Sequence, residues 1–343
     1  MQSRNKIAYL ISLTLFFSYV EMLLPRITPF FRLGLSNIAV LNAFYLPLKP
    51  FVILLFTKAI AVSMMNGTLF TPFLIISVCQ SLSSGILMFF LNKIREKNPK
   101  SISIYGISIA GSGLSAVIQI ALCLIWLGEG TKIFLGPMIA LNTVTGFLTA
   151  FLSEFLNIPQ KEPVLNSNQG RAPALSRALR CPLSPLLGLH PKTRPAKIVA
   201  ASVLMLCAGS IFFINKTVIL TAAFLMALVL QALSGRKILI LPHACMWIFI
   251  LVSQFLIPEG QVLYEFSGFT ITEGALITGL QKALKLSAVS ALSQCAAGIK
   301  APEDTVIGKS LLYYKALSDE LRNSKGSILF KVRTALSAEK LYV

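Results

Sequence analysis

Charge is scarce in this chain, and acidic charge is scarcest. Only 13% of the 343 residues are charged, with 13 acidic residues against 31 lysines and arginines, whereas a soluble domain carries about 25% charged residues. Aspartate occurs only at Asp304 and Asp319, and histidine only at His190 and His243. These shortages exclude much chemistry. No aspartate pair stands in the apolar part of the chain to hold magnesium against a diphosphate. His243, in "LPHACMWIF", has no carboxylate nearby and reads as an interhelical hydrogen bonder. No Gly-rich loop runs into Lys-Ser or Lys-Thr, so the chain is not a P-loop ATPase on its own. The six cysteines, Cys79, Cys123, Cys181, Cys207, Cys245 and Cys295, are scattered without metal-ligand spacing, mostly in apolar segments where they serve as small hydrophobes. The expectation is a chain with no catalytic residues, metal or cofactor of its own.

What the sequence has instead is apolar length. Hydrophobic residues make up 55% of it and the mean hydropathy is +0.75. Several apolar runs reach roughly 20 residues, enough to cross a hydrocarbon core of about 30 Å. The fold class predicted is an all-α integral membrane protein. Six spans can be drawn in the first half, at about 8–24, 35–47, 50–65, 69–91, 103–127 and 132–154, and four more at 197–213, 216–233, 238–257 and 271–295. The first follows Arg4 and Lys6 in the manner of a signal peptide, but it lacks a small-residue cleavage pattern and is read as a retained helix. Between the two sets, Ile158 to Lys197 is rich in Pro, Ser, Asn and basic residues. The predicted parts are a six-span membrane domain over 1–155, a basic cytoplasmic linker over 156–196, a four-span membrane domain over 197–296 and a basic cytoplasmic tail over 297–343. Within the tail, Ser310 to Lys331 has the pattern of one amphipathic helix that lies on the membrane or meets a partner.

A net charge of +18 suggests nucleic acid until its distribution is read. The basic residues gather in short connections and the tail, where the inside-positive bias and anionic lipid account for them, and no recognition motif accompanies them. Placing both termini in the cytoplasm puts "KIREKNPK" at Lys93 to Lys100, the linker, "GRK" at Gly235 to Lys237 and the tail inside, as expected for a bacterial-type inner membrane. "NGT" at Asn66 to Thr68, "GEGTK" at Gly128 to Lys132 and the stretch Leu256 to Thr270 then fall outside. The first external connection breaks the rule with Arg26 and Arg32.

That exception marks the candidate site. Glu21 lies near the outer end of the first span, and an ionisable residue at membrane depth is costly unless paired or hydrated. Glu21, Arg26, Arg32 and Asn37 are expected to line a cavity for a small polar or anionic solute, since guanidinium forks hold carboxylate or phosphate bidentately. Asn66 and Thr68, on the same predicted side, are candidates for the same pocket. Asn142, inside the sixth span, is a further candidate ligand. "GISIAGSGLSA" at Gly106 to Ala116 places Gly106, Ala110 and Gly113 on one helical face, which predicts a close helix contact there.

Residues 1–155 resemble the membrane family called heptaprenyl diphosphate synthase component I, or Gx transporters, which is related to the substrate-binding S components of energy-coupling factor transporters. The resemblance rests on "LPRITPFFRLGLSNIAVLNAFYL" from Leu24 to Leu46 and "NGTLFTPFLIISVCQSLSSGILM" from Asn66 to Met88. Residues from about 190 to 296 resemble the front part of the transmembrane T component, on "HPKTRPAKIVAASVLMLCA" from His190 and "FLIPEGQVLYEFSGFTITEGALITGLQKALKLSAVSAL" from Phe255 to Leu292. The Ala-Arg-Gly or Ala-Arg-Ser coupling motifs of a full T component are missing from Ala296 to Val343. The likeness implies an S-like bundle fused to a truncated T-like scaffold that takes up a small metabolite, with any ATP hydrolysis on separate cytoplasmic P-loop subunits. The family's name implies an alternative, a non-catalytic membrane subunit that works with a soluble prenyl synthase.

Overall fold

The computed structural model describes residues 2–23, 34–66, 68–156, 194–234, 240–256, 260–266, 269–296, 306–324 and 326–337. In the first half these form α1 (Gln2–Leu23), α2 (Asn37–Leu41), α3 (Leu48–Asn66), α4 (Pro72–Lys97), α5 (Ile104–Leu127), a 3-10 turn (Glu129–Phe134) and α6 (Leu135–Leu156). The second half has α7 (Arg194–Ile211), α8 (Thr217–Leu233), α9 (Ile240–Phe255), the hairpin β1 (Val262–Phe266) and β2 (Phe269–Thr272), α10 (Glu273–Ala296), α11 (Val306–Asn323) and α12 (Ile328–Ser337). Residues 157–193, the core of the expected linker, lie outside the described set.

The chain is an all-α membrane protein. Pro72–Lys97, Ile104–Leu127 and Glu129–Leu156 are long and apolar enough to cross a bilayer, and Ile7–Glu21, Ser202–Ile211, Thr217–Leu233 and His243–Phe255 are shorter apolar helices. The ends are set locally. Pro72 occupies the first turn of α4 after the extended Thr71, where its missing N–H costs nothing. Ser103 caps α5 by accepting the Gly106 N–H at 3.1 Å, and Gly128, at φ +100°, ends that helix.

Two of the expected helices need correction. The span expected over 35–47 is only a five-residue helix followed by turns, with 3-10-type bonds from Ala43 to Val40 and from Leu46 to Ala43. Irregular backbone survives beside lipid only when protein covers it, and Leu35, Ile38, Ala39, Val40, Leu41, Ala43, Phe44 and Leu46 are all buried. The single tail helix expected over 310–331 is instead two, α11 and α12, separated near Gly326 at φ +117°.

The tail also has a partner, the chain's own first helix. Tyr313 meets Tyr9 edge-on at 6.0 Å and Tyr314 meets Tyr19 at 6.2 Å, so α11 lies beside the middle of α1. Leu317, Leu321, Val332, Ala335 and Leu336 join the same apolar cluster as Phe16, Phe17, Phe44 and Phe51. As a result α1 is buried almost continuously from Ile7 to Val20.

Helices pack closely where side chains are small, because lipid tails supply no hydrophobic drive between helices and contact area must do so. The contact face of α5 is not the expected one. Gly113 has nothing within 4 Å of where a Cβ would sit, and Gly106 would touch only its own N-terminal neighbours. Ser108, Gly111 and Ser112 are buried instead. A Cβ on Gly111 would collide with Met88 of α4, and one on Gly146 of α6 would lie 3.0 Å from the Ile109 Cα. The Ser108 hydroxyl donates to the Gly146 carbonyl at 2.7 Å, closing the α5–α6 contact.

The second half docks on one end of the first. Gln254 Nε2 and Lys282 Nζ both donate to the Leu127 carbonyl, at 2.6 and 2.9 Å, and the Ser293 hydroxyl accepts from Leu69 N at 2.6 Å. Trp126 packs on Phe212 and Phe134 on Phe249. Gln80 bonds both Ser115 O and Gln119 Oε1, which sets α4 and α5 antiparallel with residue 70 level with Leu127. Yet Lys282 and Ser293 are eleven residues apart, about 16 Å along α10. Helix α10 therefore reaches both the end of α5 and the start of α4. The ten-span scheme places Leu69 outside and Ser293 near the cytoplasmic end of its helix, and a set of parallel helices does not bring them together.

Candidate binding site at Lys58

A short polar cluster interrupts the apolar interior where α1, α2 and α3 meet. Glu21 stands in the last turn of α1 and is half-buried. The chain returns at Gly34, whose φ of +71° suits glycine and whose N–H donates to Glu21 Oε1 at 3.4 Å. One turn on, Asn37 N bonds the Gly34 carbonyl at 2.8 Å, which opens α2 and fixes the Asn37 side chain. Lys58, in the middle of α3, is only 6% exposed, and its Nζ donates to Asn37 Oδ1 at 2.7 Å. Glu21 is within electrostatic range of the same ammonium. One cation, one carboxylate and one amide thus converge from three segments in a setting that otherwise buries Ile38, Leu54 and Leu55.

Of the residues expected from the sequence, the structure brings together Glu21 and Asn37. Arg26 and Arg32 lie outside the described residues. Asn66 closes α3, and only its backbone is described. Thr68 has a turn role: its N–H and hydroxyl both go to the Ser63 carbonyl, and its own carbonyl accepts from Thr71 Oγ1. Asn142 spends its amide on the Met138 carbonyl of its own helix at 2.8 Å. Helix α6 approaches α2 further along, where Asn42 Nδ2 donates to Ser153 Oγ at 3.0 Å.

Sequence reasoning missed Lys58. Its signal was a single charge inside "FVILLFTKAIAVSMM", where only Thr57 and Ser63 interrupt the apolar residues on either side. An ionisable group in that position is expensive in lipid and needs a partner or a task.

This cluster falls in a part of the chain that resembles a known family. Residues 10–156 match the heptaprenyl diphosphate synthase component I family model. Glu21, Asn37 and Lys58 all lie within the matched residues. Residues 195–296, which hold α7 to α10, match a domain of unknown function, so nothing in that match speaks for a T component. The searches of curated proteins and of solved structures return no match.

Proposed function

We propose that the chain is the membrane subunit of a system that takes up a small solute, and that Lys58 with Asn37 and Glu21 is its recognition point. The buried ammonium of Lys58 carries this reading. An anionic group on the solute would take the place of Asn37 Oδ1 at Nζ, where low dielectric strengthens the attraction. Glu21 would repel a bare anion, so the favoured solute also presents a cation or a hydrogen-bond donor. Arg26 and Arg32, in the segment joining Glu21 to Gly34, are proposed to meet the solute on its way in. Any ATP hydrolysis would belong to separate cytoplasmic P-loop subunits. α7 to α10 would act as the scaffold holding the solute-binding half, in keeping with the sequence likeness to a T component.

The family description favours a second reading, in which the chain is the membrane partner of a soluble prenyl diphosphate synthase. The cluster suits a diphosphate less well, because Glu21 offsets the charge of Lys58.

Isolation of the full chain with its native partners, followed by native mass spectrometry, separates the two. Uptake predicts a co-purified small polar solute that disappears in Lys58→Met, together with nucleotide-binding subunits. A prenyl synthase in the complex, with the same solute content in wild type and Lys58→Met, overturns it.

A further inference from the structure

The loop between α9 and α10 is folded in a way that the apolar interior does not explain. β1 and β2 pair antiparallel from Phe266↔Phe269 to Val262↔Thr272, with an irregularity between Val262 and Tyr264 that leaves Leu263 without a partner in register. The ribbon has no spacer before α10. Thr272 ends β2 and Glu273 begins α10, while Glu273 N bonds the Gln261 carbonyl at 3.0 Å and Thr272 Oγ1 accepts from Ala275 N at 3.4 Å. Gly260, at φ +91°, sits so close to Gly274 that a Cβ would lie 3.3 Å from its amide nitrogen. The hairpin is thus pinned to the start of α10.

Its exposed residues are apolar from Val262 to Tyr264, with Gln261 before them and Glu265 after them exposed as polar flanks. Val262, Leu263 and Tyr264 are 59%, 56% and 62% exposed in succession. Val252 at the end of α9 and Leu276 and Ile277 near the start of α10 are exposed as well, so apolar surface is exposed on the two helices that flank the ribbon. A free two-stranded ribbon is at best marginally stable in water. The bulge disrupts the ladder at β1, which disfavours addition of a strand from another protein. The unpaired edges of a ribbon need hydration and exclude it from the hydrocarbon core. A layer that solvates backbone polar groups on one side and accepts a tyrosine and aliphatic side chains on the other is the headgroup and upper acyl region of a bilayer.

We propose that the Val262–Thr272 hairpin is an interfacial lipid anchor that holds the first turn of α10, the helix carrying Lys282 and Ser293, at a defined membrane depth. The test uses the full chain in phosphatidylcholine vesicles, with native cysteines replaced and an environment-sensitive NBD label at Leu263→Cys or, as a second position, Tyr264→Cys. Label at Val229→Cys, on the exposed apolar face of α8, reports correct insertion. The expected result at both hairpin positions is a blue-shifted emission that is lost to a doxyl quencher on the upper acyl chain and is indifferent to aqueous iodide. Quenching by iodide alone would place the hairpin in water. Protection from both quenchers would place it against protein. Either overturns the anchor.

Discussion

A lysine inside an apolar helix imposes its own requirements, and Lys58 meets them with Asn37. Removing one partner of a buried pair leaves the other desolvated and unpaired, which costs more than the pair contributes. Asn37→Leu should therefore destabilise the first half by about 1–3 kcal/mol, read as a fall in detergent melting temperature. Lys58→Met in the same background should recover most of that loss, because the stranded charge goes with it. If the double variant is no more stable than Asn37→Leu alone, the Lys58–Asn37 bond is not what holds these segments. The cycle also separates roles. A pair kept for stability alone leaves solute content unchanged in the rescued double variant, whereas a recognition site loses the solute although the fold returns.

At the scale of elements, hydropathy located most helices within a few residues: nine of the ten expected spans are single helices, and Pro72, Ser103 and Gly128 mark the ends of α4 and α5. It failed at 35–47 for a physical reason. A segment buried in protein is as apolar as one facing lipid, so Leu35 to Leu46 read as a span although α2 has only five residues. Helix faces were similarly hard to read. Gly106, Ala110 and Gly113 share a small-residue spacing, but the interface uses Ser108, Gly111 and Ser112, a rotation that depends on where α4 and α6 lie. The two faces give a contrasting prediction. Gly146→Val places its branches against the α5 backbone and should cost about 1–3 kcal/mol, whereas Gly113→Ala, with open space and better helix propensity, should be neutral or stabilising. Equal melting temperatures for the two variants would show that α5 and α6 do not pack through Gly146. The candidate site was legible only in part for a related reason. Glu21 and Asn37 stand in a conspicuous polar interruption, but Lys58 becomes meaningful only once α3 is brought back against α2.

The whole molecule is held together by contacts that no local pattern announces. α9 and α10 grip the end of the α4–α5 pair through Leu127 and Leu69, and α11 and α12 cover α1, so the second half holds the first at two separate places. The first grip joins an apolar seam, Ile76, Cys123 and Leu127 against Ile250, Ala283 and Leu286, to polar bonds: the Lys282 ammonium meets the carbonyl end of α5, where the helix dipole favours a cation. Such a charge-assisted bond contributes about 1.5–3 kcal/mol. The second is apolar and aromatic, through the two tyrosine pairs. If the covalent linker only tethers these surfaces, a chain cut between residues 157 and 193 and expressed as two pieces should still co-purify in mild detergent. Contacts at separate places should contribute nearly additively. Lys282→Ala with Ser293→Ala should then lower recovery without abolishing it, since the tail still holds α1. Adding Tyr313→Ala and Tyr314→Ala should lower recovery further, with the apolar seam at Ile250, Ala283 and Leu286 left in place. Complete release by the Lys282/Ser293 pair alone would mean that the tail contributes nothing to the hold. Full recovery with all four changes would show that neither the polar bonds nor the tyrosine pairs contribute to the hold.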